Sequence, residues 1–314
     1  MARTPGRSRI ETRREEAVND LATQLSETFA DLVAAAAPSV VRVDSQNRWP
    51  SSGVVWSTDG TIVTASHSVE DEDEIEVALP DGTTLEATLA GRDPGTDLAV
   101  LKVAASGLAR PAWLEPDALR VGHLVLAVSR PGRTARASSG IVSALSDAWR
   151  TSSGGRVERY IESDVPLRPG FSGSLLLDVS GRVLGLNTAG LLRDHALAIP
   201  TATVRRVVEA VLAHGRVRRG FLGIGAHSVP LGALGAKLGQ EAGLLVAAVE
   251  PGSPAEKAGV LLGDVLLAFD GQALERVPDL LALLDEERVG RAVTAKLLRA
   301  GEPREVAVTV GTRS

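Results

Sequence analysis

The chain has 314 residues, 44% of them hydrophobic but only 3% aromatic, so a sizeable core must be built from Val, Leu, Ala and Ile. Its formal charge of −5 is spread over both halves, which argues against a nucleic-acid or anionic-membrane protein. It has no cysteine, which excludes disulfides, thiolate metal sites and a cysteine nucleophile, and its five histidines are too scattered for a metal cluster.

The length predicts two or three domains. Residues 1–14 are basic and Arg-rich with no apolar run behind them, unlike a secretory signal. Val33 to Ala37, the longest apolar run nearby, is too short to span a bilayer. A cytoplasmic protein without a membrane span is the expectation from these residues. Residues 1–11 read as disordered. Residues 12–37 read as a helix with Leu21, Leu25, Phe29, Leu32 and Val33 on one face and Pro38 as its stop. That face either packs on its own domain or, through Leu21 and Leu25, meets another copy.

From Val40 to about Val142 the pattern is β. Gly53–Trp56 and Ile62–Thr64 flank Asp59-Gly60, a hairpin signal. Ile75–Leu79 and Leu85–Leu89 alternate about Asp81-Gly82, and Leu98–Val103 and His123–Ser129 follow. Residues 146–158 read as a long loop. Strands resume at Arg159–Ser163, Leu175–Asp178 and Arg182–Thr188, the last two joined at Ser180-Gly181. Many short strands with regular turns predict antiparallel barrels or sandwiches. Thr201–His214 carries a helical stripe, with Thr201 as a candidate N-cap and Gly215 just past the end. A domain boundary is expected at the basic stretch Arg216–Arg219. Beyond it an α+β module is predicted: strands at Leu244–Val249 and Val265–Phe269, a capping box at Ser253-Pro254-Ala255-Glu256, a helix over Pro278–Glu287, and a closing hairpin of Val293–Leu298 and Glu305–Val310.

The chemistry centres on Gly170-Phe171-Ser172-Gly173-Ser174. A serine between glycines is either an ordinary turn or a presented nucleophile whose neighbours aim backbone N–H groups at a reacting carbonyl. A hydroxyl nucleophile needs an imidazole base, and the imidazole needs a carboxylate to hold its tautomer. His67 ends the strand Ile62–His67, and Asp97 precedes the strand Leu98–Val103, with Asp93 a rival carboxylate. The order His, Asp, Ser on an all-β chain is that of the two-barrel arrangement, not the α/β-hydrolase one.

Ile-Val-Thr-Ala-Ser-His (62–67), Asp-Pro-Gly-Thr-Asp-Leu-Ala-Val-Leu-Lys (93–102) and Gly-Phe-Ser-Gly-Ser (170–174) resemble the HtrA/Deg family of trypsin-like serine proteases. So do Gly-Leu-Asn-Thr (185–188), Leu-Ala-Ile-Pro (197–200) and the stretch His214–Ile224, and residues 249–271 look like that family's PDZ domain. The resemblance runs from about Leu25 to the C-terminus. It implies a mainly β fold, a chymotrypsin-like double β-barrel followed by an α+β PDZ domain. The implied divisions are an N-terminal extension over 1–24, a protease domain over 25–215, a linker over 216–219 and a PDZ domain over 220–314.

By the same resemblance His67 is the general base, Asp97 its orienter and Ser172 the nucleophile, with the N–H groups of Gly170 and Ser172 as the oxyanion hole. Leu167, Gly190 and Leu191 are expected at the wall of the specificity pocket. None is charged, which favours a small or medium aliphatic side chain. His195, in the same loop region, reads as an exposed loop histidine, a pH-sensing role being the alternative. Phe221, Leu222, Gly223 and Ile224 match the family's carboxylate-binding loop, with the helix 278–287 as the other wall of a peptide groove and Arg219 as a possible aid to the carboxylate. The implied function is an ATP-independent serine endopeptidase of protein quality control. It needs no metal or cofactor, takes unfolded polypeptides and peptide C-termini as partners, and is expected as a homotrimer because members of the family commonly are. Phe171, Ser174 and Leu175 depart from the family's usual Asn before the serine and Gly-Pro after Ser-Gly, which leaves open whether the oxyanion turn can form. The rival readings are a catalytically silent peptide-binding or chaperone-like protein and a structural scaffold on the same fold.

Overall fold

The computed structural model describes residues 9–45, 49–69, 74–113 and 118–312. The chain divides into two compact units, one of Met1–Trp149 and Val157–Leu212, the other of Arg150–Arg156 and Ala213–Ser314.

Helix α1 spans Arg9–Ala36, so it begins ahead of the expected residue 12. Residues 1–8 of the stretch expected to be disordered lie outside the described residues. The helix gives way to a 3-10 turn, Ala37–Ser39, in which Pro38 can no longer donate to the helical ladder. Leu21 and Leu25 are exposed, whereas Phe29, Leu32 and Val33 are half-buried.

Strands β1 (Val40–Asp44), β2 (Ser51–Ser57), β3 (Thr61–Ala65), β4 (Ile75–Ala78), β5 (Thr84–Asp93) and β6 (Leu98–Val103) close a barrel in the order β1-β2-β3-β6-β5-β4. Its turns follow the turn chemistry. Gly60 between β2 and β3 has φ +91°, and a Cβ there would lie 2.2 Å from the Val103 carbonyl oxygen. Asp59 accepts from the hydroxyls of Ser57 and Thr61 and from Lys102, which hold its carboxyl far below the usual range. The buried filling is aliphatic, including Val41, Val43, Val55, Ile62, Ile75, Val77 and Leu101, as the low aromatic content requires.

A second barrel follows. Strands β7 (Leu124–Ser129) and β8 (Arg136–Ser146) lead to a two-stranded ribbon, β9 (Trp149–Arg150) and β10 (Arg156–Val157), inside the expected loop. Then β11 (Tyr160–Ser163), β12 (Leu175–Asp178), β13 (Val183–Thr188) and β14 (Ala196–Pro200) close the barrel in the order β11-β14-β13-β12-β7-β8. Helix α2 (Thr201–His214) buries Val204, Val207, Val208 and Val211, and Gly215 beyond it has φ +72°. Thr201 is not its cap: the hydroxyl donates to the Val183 carbonyl instead.

The second unit holds β15 (Gly220–Phe221), β16 (Ile224–Pro230), α3 (Gly232–Leu238), β17 (Ala242–Val249), α4 (Pro254–Lys257), β18 (Val265–Phe269), β19 (Gln272–Ala273), α5 (Val277–Leu283), β20 (Ala292–Arg299), β21 (Glu302–Thr309) and β22 (Gly311–Thr312). The sheet order is β16-β17-β18-β20-β21, with β19 beside β18 and β15 paired to β22, so β16 is an edge strand. Half of the expected capping box forms at α4: Ser253 Oγ accepts from the Glu256 N–H, whereas the Glu256 carboxylate accepts from the Gly252 N–H and the N–H of Ser253 itself donates to the Glu250 carbonyl. Helix α5 is shorter than the expected 278–287. It stops at Leu283, and Asp285 caps a separate 3-10 turn by accepting from the Arg288 N–H. Residues 150–156 join this unit through Arg150, which donates to the Ala282 carbonyl, and Ser153, whose carbonyl accepts from Arg219.

Candidate active site

His67 sits in a 3-10 turn, Ser66–Ser68, directly after β3, and Asp97 immediately precedes β6, the strand paired with β3. That pairing brings the two together. Asp97 grips His67 twice: one carboxylate oxygen accepts from the His67 backbone N–H at 2.9 Å and the other meets Nδ1 at 2.7 Å. The Ser66 N–H also donates to the Asp97 carbonyl at 3.0 Å. Asp97 holds a positive φ of 56°, a conformation that short polar side chains tolerate best. Its side chain is buried while that of His67 is about one-third exposed, so the carboxylate is shielded and the imidazole faces the cleft.

Asp93, the rival carboxylate, is spent on its own turn. It accepts from the Gly95 N–H at 3.2 Å and from the Thr96 hydroxyl at 2.8 Å.

Ser172 lies in the second of two consecutive turns. Phe171 N–H donates to the Arg168 carbonyl across Pro169-Gly170, and Ser174 N–H donates to the Phe171 carbonyl across Ser172-Gly173. Both glycines have positive φ, +90° and +78°, as the third residue of such turns requires. A Cβ at Gly173 would stand 2.0 Å from the Ser52 carbonyl oxygen. Among the described residues the N–H groups of Gly170 and Ser172 donate to no protein acceptor, while those of Phe171, Gly173 and Ser174 are all engaged. This leaves the two N–H groups available to an oxyanion.

The three departures from the usual motif have local partners. Phe171 is 2% exposed and packs in the second barrel among Val125, Val142, Ile161 and Leu176. Ser174 is fully buried and accepts from the Asn187 side-chain amide at 3.0 Å. Leu175 opens β12 and is fully buried. Neither Phe171 nor Ser174 is among the residues bordering the cleft that holds His67 and Ser172.

Ser52 and Ala189 escaped the sequence reading, and Thr188 and Gly190 make contacts it had not assigned them. Ser52 in β2 donates through its hydroxyl to the Gly170 carbonyl at 2.8 Å, and its backbone N–H donates to the Ser172 carbonyl at 3.1 Å. It therefore ties the Ser172 loop to the first barrel. Thr188, at the end of β13, donates to the same Asp97 oxygen that faces His67 Nδ1. The Ala189 N–H lies 3.4 Å from Ser172 Oγ. Gly190 donates to Thr188, and a Cβ on it would fall 2.5 Å from His67 Nδ1 and 2.7 Å from the Asp97 carboxylate. Only a residue without a side chain fits against that pair.

A cavity of about 730 Å³ is bordered by His67 and Ser172 together with Trp49, Ser51, Leu167, Arg168 and Ala189. A second, of about 560 Å³, shares Leu167 and Ala189 with it. Leu167 thus borders both. Gly190 and Leu191 border neither, Gly190 lying over the His–Asp pair and Leu191 being half-buried in the following turn. His195 is an exposed loop residue, but its Nδ1 is 3.0 Å from the Glu162 carboxylate.

In the second unit Leu222 is buried in the core, its carbonyl accepting from the Ala255 N–H. Phe221 pairs with Gly311, and Ile224 begins the edge strand β16. Gly223 has φ +77°, and a Cβ there would lie 2.2 Å from Ser253 Cβ. The loop is thereby pressed onto the N-cap of α4. Arg219 donates to the Ser153 carbonyl. Among the described residues no cluster of His, Cys, Asp and Glu could hold a metal ion, and no helix is long and apolar enough to cross a membrane.

Residues 51–186 match the trypsin-like peptidase domain family and residues 220–310 the PDZ domain family. The probable periplasmic serine endoprotease DegP-like of Chlamydia trachomatis is 36% identical over 273 residues, covering 82% of this chain and 53% of the relative. The one from Brucella suis is 37% identical over 269 residues, covering 82% and 52%. The chain thus spans about half the length of the curated relatives it matches. Among solved structures, the HtrA-type protease AlgW with a decapeptide superposes with a TM-score of 0.72 at 30% identity, covering 91% of this chain and 99% of that one. The serine endoprotease from Yersinia pestis gives 0.71 at 31% identity, covering 91% and 98%. These names correct the expectation of a cytoplasmic location, since the relatives are named periplasmic. A cysteine-free core records nothing of its compartment, so the expectation had rested on the first residues alone. With two barrels around a His–Asp pair and a serine turn, both domain families in order, and near-complete coverage of solved relatives, the chain belongs to the HtrA family of trypsin-like serine proteases with a PDZ domain.

Proposed function

We propose that the protein is an ATP-independent serine endopeptidase that cleaves unfolded or damaged polypeptides through an acyl-enzyme. His67 Nε2 takes the proton of Ser172 Oγ as that oxygen attacks the scissile carbonyl carbon. The oxyanion accepts hydrogen bonds from Gly170 and Ser172 N–H, and Asp97 stabilises the imidazolium at Nδ1. His67 then protonates the departing amine, and a water molecule repeats the sequence on the ester. The observation that carries this reading is the two-point grip of Asp97 on His67 beside a turn that leaves two N–H groups unengaged. Residues 25–215 would form the protease domain, 216–219 the linker and 220–314 the PDZ domain, behind an extension of residues 1–24. In the PDZ domain a peptide C-terminus would dock at Phe221, Leu222, Gly223 and Ile224 and extend along β16, whose edge position leaves room for an added strand. The assembly would be a homotrimer and the setting periplasmic, like that of the named relatives.

Labelling with a fluorophosphonate and degradation of casein test the reading. The wild type is expected to carry the label on Ser172. Ser172→Ala should lose cleavage by at least about 10³-fold while still binding peptide. Absence of label together with intact casein would leave the silent peptide-binding alternative.

A further inference from the structure

One rim of the cleft takes no part in the acyl-enzyme chemistry. Trp49, Pro50 and Ser51 border the cleft alone, whereas Leu167 and Ala189 also border the second cavity. Trp49 is 85% exposed, more than any other large hydrophobic residue among the described ones. The remaining tryptophans pack on rings, Trp56 on Trp113 with centroids 4.9 Å apart and Trp149 on Tyr160 at 5.5 Å. A lone apolar residue on an open surface needs no explanation, but this indole borders the same cavity as His67 and Ser172. Its place is fixed by its neighbours. Pro50 confines the backbone of the residue before it to extended conformations. Ser51 opens β2, and Ser52 next to it holds the Gly170 and Ser172 carbonyls. A Cβ on Gly170 would stand 2.9 Å from the Pro50 carbonyl oxygen, so this rim runs directly past the Ser172 loop. Among the described residues no carboxylate borders the cleft, while the exposed guanidinium-bearing Arg168 does.

We propose that Trp49 is a specificity-determining residue that takes an aromatic side chain of the substrate on the leaving-group side of the scissile bond. The inference rests on the endopeptidase reading, whose substrate preference it names. Leu167, expected at the wall of the pocket for the residue before the bond, borders the second cavity. The acyl half of the substrate therefore lies toward that cavity and the departing half toward Trp49. Stacking on the indole favours a ring over an aliphatic chain beyond the area buried. An indole face also attracts cations, but Arg168 on the same cleft repels them, so Lys and Arg are disfavoured there.

The test acylates full-length protein with a peptide ethyl thioester ending in Val. The acyl group is then partitioned between water and the amides of Phe, Trp, Leu and Lys. The amine of each acceptor attacks the ester carbon from the leaving-group side, forming a peptide bond and freeing the Ser172 hydroxyl. Phe and Trp amides are expected to capture about three- to tenfold more acyl group than Leu amide, with Lys amide lowest. Trp49→Ala should bring Phe down to Leu, and Trp49→Phe should keep most of the margin. Equal capture by Phe and Leu, or a margin that survives in Trp49→Ala, overturns the proposal, while a fluorophosphonate label on Ser172 keeps the protease reading standing. A readout free of catalysis is calorimetry on Ser172→Ala with two C-terminally amidated peptides, which offer the PDZ unit no carboxylate and differ only in Phe or Leu after the Val. The Phe peptide should bind about three- to tenfold more tightly and lose that margin when Trp49→Ala is added. Equal binding of the two, or none of either, overturns the proposal whether or not the wild type takes the label. A Trp49→Ala variant with lowered sedimenting mass and unchanged capture would assign the indole to a contact between copies, which also overturns it.

Discussion

Gly190 shows how little space surrounds the His67–Asp97 pair. The Cβ of an alanine there would sit 2.5 Å from His67 Nδ1 and 2.7 Å from the Asp97 carboxylate, closer than real contacts allow. The imidazole would have to shift, and a displacement on the order of 1 Å costs about 10²-fold. Gly190→Ala should therefore lower kcat/KM by about that factor with little change in melting temperature, which peptide kinetics and calorimetry would show together. Phe171 behaves in the opposite way. Its ring fills the second barrel, so Phe171→Ala should cost about 3–5 kcal/mol in urea unfolding. Variant that remains folded should still take the fluorophosphonate label, because the side chain does not border the cleft. At this scale the sequence was informative about identity more than placement. His67, Asp97 and Ser172 stood out as motif residues, whereas Ser52 meets Gly170 across 118 positions and Thr188 meets Asp97 across 91. Nothing local in either residue marks such a partner.

Among the elements, the start of β18 depends on one buried carboxylate. Asp264 accepts from Arg299 of β20 at two oxygens, 2.9 and 2.8 Å, and from the Leu261 N–H at 2.8 Å. Burial pushes the Asp264 carboxyl up, but Arg299 and Leu261 together hold it below its ordinary value of 3.8. A carboxyl depressed in the folded state stabilises the fold above its unfolded pKa and loses that contribution as pH falls through the folded value. Asp264→Asn should thus destabilise the PDZ unit by about 1–3 kcal/mol at pH 7. The difference from wild type should shrink as urea titrations are taken toward pH 2–3. Element types were largely legible: the Asp-Gly and Ser-Gly turns, the Ser253 cap before α4 and the stripe of α2 all carry local chemistry. Helix α5 was not, because its end is set by Asp285 turning to cap the next residues, an option a run of leucines conceals. Helix α3 and the β9–β10 ribbon also escaped, being short and without strong periodicity.

For the whole molecule, Leu21 and Leu25 on α1 remain 67% and 42% exposed, although Phe29, Leu32 and Val33 further along are half-buried. If the expected homotrimer uses this face, Leu21→Asp with Leu25→Asp should lower the sedimenting mass toward that of the 32.7 kDa chain, whereas an unchanged mass would put the oligomer contacts elsewhere. Sequence by itself determined most of the strands and their turns, the order of His, Asp and Ser, and the succession of two domain types. These follow from hydrophobic period, turn residues and motif spacing, all short-range properties of the chain. Only the tertiary structure decided that Asp97 rather than Asp93 faces the imidazole, because the register of β3 against β6 carries one to the site while the other closes its own turn. It also decided that Phe171 turns into the barrel and that Gly190 lies against the His67–Asp97 pair. Barrel closure brings together residues that no local pattern links, and long-range packing fixes which way each side chain points.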